Sequence, residues 1–317
     1  MRAVSRIAPY VLLLALVAWC AITLRGDLAQ LSLAPLLHSW GTVLAATCLS
    51  LANYVLRAVR WRAYLARMGH SVSLRFAIAT FTAGFAYTVS PGKLGEMARA
   101  RYYAPLGVPL SDVAAAFFAE RLLDLVVMLV LAALWFTASH AYLEAVVGAG
   151  VAVVIGLTIL TLLPWSAIAA RVKASTRIPG PALRALRLVT SSLAATQALL
   201  VPAALASGFL LGLVAWALEG AGLGLLSTMF SPQHLDLVTA IGIYGIAVLV
   251  GGMSFLPGGL GGTEAVMTAL LAMRGYPLNQ ALVITLTCRL VTLWFAVVLG
   301  WLAVFALRER QEGVALP

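Results

Sequence analysis

The chain has 317 residues, 62% of them hydrophobic and only 10% charged, with a formal net charge of +10. Soluble domains carry about 45–50% apolar and about 25% charged residues, so the composition excludes a soluble enzyme and leaves no stretch polar enough for a fused soluble catalytic module. The positive balance reads as membrane orientation, because cytoplasmic loops collect Lys and Arg; no basic run interleaved with aromatics suggests a nucleic-acid groove.

In chain order, apolar runs predict six spans, at about 7–24, 40–60, 110–137, 142–164, 196–218 and 279–306. Each has the roughly 20 residues that a hydrocarbon layer of about 30 Å requires. The first span, flanked by Arg2 and Arg6, reads as an uncleaved anchor. The second ends in a basic stretch of Arg57, Arg60, Arg62 and Arg67. Two further apolar segments, about 76–104 and 237–273, are each interrupted by a Pro-Gly break. Residues 166–190 form a basic cytoplasmic loop, either an ordinary one or an interfacial one with Leu183, Leu186 and Leu188 placed to sink into the headgroup boundary. Trp40, Trp61, Trp135, Trp165, Trp216 and Trp301 lie near span ends and read as interfacial anchors. Cys20, Cys48 and Cys288 sit at no metal-binding spacing, and His38, His70, His140 and His234 share no helical spacing, so no metal and no cofactor is expected. The fold expected over 1–317 is a single all-α polytopic membrane domain of six full helices and two re-entrant broken-helix hairpins.

The two broken segments say the same thing twice. Pro91-Gly92-Lys93-Leu94-Gly95-Glu96 is matched by Pro257-Gly258-Gly259-Leu260-Gly261-Gly262-Thr263-Glu264. Gly107-Val108-Pro109-Leu110 is matched by Gly275-Tyr276-Pro277-Leu278, and Arg121 by Arg289. The offset is 168 residues from the glutamates onward and 166 at the prolines, so the second copy has two extra residues in its glycine loop. Repeat 1 covers about 76–137 and repeat 2 about 237–306. With the termini in the cytoplasm and each broken segment returning to its starting side, the basic clusters at 2–6, 57–75, 99–101, 171–187 and 308–310 share the cytoplasmic face. Only Arg25 and Arg274 fall outside it. The third and sixth spans then run in opposite directions, which makes the repeats inverted and places a site between them near the bilayer midplane.

Glu120, Arg121 and Asp124 lie ten to fourteen residues into the third span, roughly 15–20 Å deep. Glu120 and Asp124 share a helix face, and Arg121 can pair with Asp124. Arg289 sits at matching depth in the sixth span. An ionisable group there costs at least about 2.5–3.5 kcal/mol, so it faces the bundle interior and is paired. Either an ion-pair network locks the helices, or the charges line a polar cavity. Broken helices in both repeats favour the cavity, since backbone freed at membrane depth lines one or is buried in protein. A half-helix that begins at such a break aims N–H groups and partial positive charge at an anion. Lys93, Arg121 and Arg289 are the candidate anion ligands, while Glu96, Glu264 and Asp124, beside Glu120, balance charge or take a proton. Pro91, Gly92, Gly95, Pro257, Gly258, Gly259, Gly261 and Gly262 supply the loops and hinges.

At these residues the chain resembles the lysylphosphatidylglycerol synthase transmembrane-region family of flippase-like proteins. The resemblance is carried by Arg60-Trp61-Arg62, the Pro91 and Pro257 loops with the preceding Ser254-Phe255-Leu256, Glu120-Arg121-x-x-Asp124, and Arg289 with Trp294. It spans almost the whole chain. It implies movement of lipid across the bilayer, without the soluble aminoacyl-transferase domain that some members carry. The expected function is a lipid translocase of the bacterial inner membrane, with an anionic or polyprenyl-phosphate-type lipid as its partner and both termini in the cytoplasm. Two alternatives stand beside it. One is a membrane-embedded transferase with Glu96 or Asp124 as general base. The other is an accessory subunit of a lipid, hopanoid or glycolipid pathway that does not transport.

Overall fold

The computed structural model describes residues 38–135, 144, 148, 150–151, 162–174, 180–230, 235–254 and 256–314. The first predicted span and most of the fourth lie outside them. The described residues are helical, with no strand among them. The elements are α1 (Trp40–Arg67), α2 (Leu74–Phe85), a 3-10 segment (Pro91–Arg99), α3 (Ala100–Tyr103), α4 (Leu110–Ala133), α5 (Trp165–Ala174), α6 (Gly180–Gln197), α7 (Pro202–Ser227), α8 (Leu237–Met253), α9 (Gly262–Met273), α10 (Leu278–Arg289) and α11 (Phe295–Val314).

Helix length sorts crossing from re-entrant elements. α1 with 28 residues and α7 with 26 are long and apolar enough to span a membrane, as is the run of 31 residues through α10 and α11. α4 has 24 residues, and its interior charges are what separate it from the other three. By contrast, α2 and α9 have 12 residues each. At 1.5 Å per residue that is about 18 Å, too short for a layer of about 30 Å. Both therefore belong to hairpins. In the first, Thr80 is bonded to Tyr103 and Thr88 to Glu96, so the chain enters along α2 and returns along the 3-10 segment and α3. In the second, Gly251 of α8 meets Thr263 of α9, and Ile243 and Leu271 belong to one core farther back.

The two halves are inverted. α1 precedes the first hairpin and α7 the second, and they pack antiparallel: Ser50 meets Glu219, Asn53 meets Ala215 and Tyr64 meets Gly208. The entry helix of each hairpin packs on the long helix of the other half, α2 on α11 and α8 on α4. Bare glycine faces permit both approaches. A Cβ on Gly245 would lie 2.9 Å from the Ala132 nitrogen, and one on Gly300 would run into the Ala86 nitrogen. Each hairpin has its own apolar core, around Trp61, Phe81, Tyr103 and Phe117 for the first and Ile243, Met267 and Leu271 for the second. The tips of the hairpins meet between these cores.

Three boundaries differ from the sequence reading. α1 continues to Arg67, because its arginines find partners inside the protein instead of ending the span. α7 runs to Ser227, past Glu219, which is buried against Ser50. The described residues of 166–190 are helical: α5 and α6 pack on each other, and α6 packs on α4. Leu186 and Leu188 stay exposed on α6 beside Arg184.

The Gly300 approach leaves no room for a methyl group. Gly300→Ala is expected to destabilise the protein by about 1–3 kcal/mol through overpacking against the α2 backbone. Gly41→Ala, where a Cβ meets nothing within 4 Å, is expected to leave stability unchanged or slightly raised. Thermal unfolding of the detergent-solubilised protein measures both.

Candidate functional site

The first hairpin and helices α1 and α4 hold a buried charge network. Arg57 and Arg60, one turn apart on α1, face Glu120 and Asp124, one turn apart on α4. Arg57 donates to Glu120 Oε1 at 2.9 Å, and Arg60 donates to Asp124 Oδ1. Trp216 of α7 donates its indole N–H to the same Asp124 oxygen at 3.0 Å. From the hairpin, Glu96 accepts from Thr88 at 2.7 Å and from Arg99 at 2.8 Å. The Arg99 guanidinium lies over the Trp61 and Phe81 rings, 4.4 and 4.5 Å from their centroids. Arg121 stands at the centre, 3.0 Å from Glu120, 3.3 Å from Asp124 and 3.9 Å from Glu96.

The second hairpin is built around Glu264. One carboxylate oxygen accepts the Gly261 N–H at 2.6 Å and so caps α9; the other accepts Arg289 Nε at 2.6 Å. Arg289 also donates to the Gly258 carbonyl at 2.8 Å. Gly258, Gly259 and Gly261 have φ of 65°, 68° and 84°, a region that a side chain makes costly. The expectation that the break offers free N–H groups to an anion is corrected here, because Glu264 occupies the helix end itself. In the first loop the Gly95 N–H is likewise taken, by Ser90 Oγ at 2.8 Å.

The repeats match in backbone as well as sequence. Lys93 is the mate of Gly259 and shares its left-handed conformation, with φ of 56°. A lysine held there costs about 1–2 kcal/mol that glycine avoids. Its ammonium stands over the Trp216 ring, 5.8 Å from the centroid, with no carboxylate within 4 Å among the described residues. The mate of the Arg289–Glu264 pair is Arg121–Glu96. The first is closed at 2.6 Å and the second open at 3.9 Å, with Arg99 on Glu96 in Arg121's stead.

Lys93, Arg121 and Arg289 converge on one cavity of about 600 Å³. Asp124 and Trp216 share its polar wall; Leu125, Met128, Leu249 and Met253 form the apolar one. Leu125 and Met253 are exposed on the outer face, so the cavity borders the lipid-facing surface. A second chamber of about 50 Å³ lies behind Lys93, Trp216 and Arg289, lined by Arg57, Glu96 and Glu219. Together the two chambers and their supports hold six cations (Arg57, Arg60, Lys93, Arg99, Arg121, Arg289) against five carboxyl groups (Glu96, Glu120, Asp124, Glu219, Glu264), an excess of at least one positive charge. Arg57 Nε, Arg60 Nε, Arg99 Nη1 and Arg121 Nε have no hydrogen-bond partner among the described residues. Buried donors of that kind are met by water or by a ligand's oxygens.

The charged site residues read from the sequence all lie around the hairpin tips: Glu96, Glu120, Arg121 and Asp124 in one ion-pair cluster, Glu264 and Arg289 in another, and Lys93 on the cavity wall between them. Others were misplaced. Arg57, Arg60 and Arg99, assigned to the cytoplasmic surface, are buried to 4% exposure or less. Trp61 and Trp216, taken as interfacial anchors, are buried and hydrogen-bonded within the site. Glu219 was missed. For the arginines the available signal was helical spacing, since Arg57 and Arg60 recur at i, i+3 in line with the buried face of α1.

The Arg289–Glu264 pair allows a direct energetic check. Arg289→Ala alone is expected to cost about 3–5 kcal/mol by leaving a buried carboxylate unpaired. Removing both partners is expected to cost clearly less than the sum of the single changes, with a coupling of about 0.5–3 kcal/mol. Thermal unfolding of the four variants of the cycle measures it, and strict additivity would contradict the pairing.

No curated protein matches the chain. A family model, that of the lysylphosphatidylglycerol synthase TM region, matches residues 4–300. The geometry agrees with the resemblance read from the sequence, and the chain belongs to the lysylphosphatidylglycerol synthase transmembrane-region family.

Proposed function

We propose that this protein is a lipid translocase that moves an anionic, phosphate-bearing lipid between the leaflets of a bacterial inner membrane, with both termini cytoplasmic. The observation that carries this reading is the convergence of Lys93, Arg121 and Arg289 on a cavity whose other wall is apolar and borders lipid. A phosphate would meet three cations there, while the first carbons of its lipid lie against Leu125, Met128 and Met253. An ion-pair lock between helices needs neither an unpaired lysine nor a cavity of this size.

Inversion supplies the route. The cavity lies at the junction of two hairpins that enter from opposite faces, so small movements of one half against the other would open it to either leaflet. The unequal mate pairs suit such a device. With Arg289–Glu264 closed and Arg121–Glu96 open, the structure is one of two related states, and the opposite-facing state would exchange them. The exposed arginines at the ends of α1 and α2 and on α5 and α6, among them Arg67, Arg75, Arg171 and Arg184, support a cytoplasmic assignment for that end.

Lys93 separates function from folding, because its backbone suits glycine better. Lys93→Gly is expected to unfold at the same temperature as the wild type or higher, and to slow transport of anionic lipid at least tenfold. The measurement is transbilayer movement of labelled phosphatidylglycerol and polyprenyl phosphate in vesicles containing purified protein. Failure of folded wild-type protein to accelerate either lipid would overturn the reading.

A further inference from the structure

Glu219 is a buried carboxyl with no role in the ion-pair network. It lies on α7, is 3% exposed, and faces the small chamber behind the hairpin tips. Its one hydrogen bond among the described residues is from Ser50 Oγ, at 3.0 Å to Oε2. Among the described residues no Lys, Arg or His nitrogen comes within 4 Å of it. Glu96, Glu120, Asp124 and Glu264 each have such a partner. A carboxylate buried at membrane depth without a paired cation is costly, and the neutral acid avoids that cost.

The surroundings make this a switch rather than a permanently neutral group. From α1, Tyr54 and Arg57 face the chamber, and from the first hairpin Lys93 and Glu96 do so. Tyr244 of α8 and Arg289 of α10 close it, with Cys288 in the shell behind. Three of these groups are cations outside pairing distance, and Lys93 and Arg289 also line the large cavity. With Glu219 neutral the site carries two excess positive charges. With Glu219 ionised it carries one.

Resting on the translocase reading, we propose that Glu219 is a proton-binding residue linked to the lipid anion: it is protonated when a phosphate occupies the large cavity and releases the proton when the phosphate leaves. On release the carboxyl O–H bond breaks, its electron pair stays on the carboxylate, and the proton passes to water entering the chamber. The new carboxylate then offsets the charge that the departing phosphate had balanced. On binding the steps reverse, so each lipid anion brings about one proton with it. Reciprocity of linkage gives the sign: the anion binds more weakly as pH rises through the Glu219 titration, by up to about tenfold per pH unit.

The test uses the purified full-length protein and short-chain phosphatidylglycerol, whose phosphodiester keeps one charge across the pH range. Infrared titration of the lipid-free protein is expected to show a carboxylic-acid C=O band that disappears as pH rises. Glu219→Gln is expected to lose that band, and Glu219→Asp to keep it at a shifted position, with melting temperatures confirming that both variants fold. Adding phosphatidylglycerol at a pH where the band is gone is expected to restore it. Calorimetry in buffers of different ionisation enthalpy is expected to give uptake of about one proton per lipid in the wild type and none in Glu219→Gln. A band that survives Glu219→Gln, or proton uptake equal in both proteins, would overturn the proposal while leaving translocation standing. Absence of lipid binding by the wild type would instead remove the translocase reading and this proposal with it.

Discussion

A guanidinium held in the middle of a bilayer has to face a carboxylate, and a carboxylate there has to face a cation. In this protein that condition involves five arginines and four carboxylates from both halves of the chain. It decides which way α1 and α4 rotate, because Arg57 and Arg60 must meet Glu120 and Asp124. It docks the first hairpin on α4, because Arg99 and Glu96 face Glu120 and Arg121. It also holds the second hairpin against α10 through Glu264 and Arg289. Breaking one pair strands its partner in a medium that solvates it poorly, so the network acts as a unit.

Within that balance the unequal features carry meaning. Glycine occupies the left-handed position at the tip of the second hairpin, and lysine occupies the equivalent position in the first. The lysine costs local stability and adds a cation that no carboxylate among the described residues pairs within 4 Å. The mate pairs Arg289–Glu264 and Arg121–Glu96 differ in the same way, one closed and one drawn apart by Arg99, Glu120 and Asp124. Two halves built on one plan, held in different electrostatic states around a shared cavity, are what the proposed translocation would require.

Much of this was legible in the sequence. Composition placed the chain in the membrane, and the matched Pro-Gly loops located both hairpins and the arginines behind them. The charge pattern led to inverted halves, and α1 and α7 pack antiparallel. Other features were hidden for a physical reason. Hydropathy treats a charged residue as the end of a span, whereas a charge paired with another helix can sit inside one. That is why α1 seemed to stop near Arg60 and α7 near Glu219. Arg57 and Arg60 looked like surface charges because their partners are more than sixty residues away in the chain. Trp216 looked like an anchor because its position near an apparent span end concealed Asp124 beside it. Tertiary partners, not local propensity, decide these cases.

The most direct measurement of the central claim is an experimental structure of the protein in a bilayer disc containing phosphatidylglycerol. The account predicts tetrahedral headgroup density in the large cavity, within hydrogen-bonding distance of the Lys93 ammonium and flanked by Arg121 and Arg289. A cavity closed over dry side-chain contacts, or filled by acyl chain alone with Lys93 turned away, would contradict it.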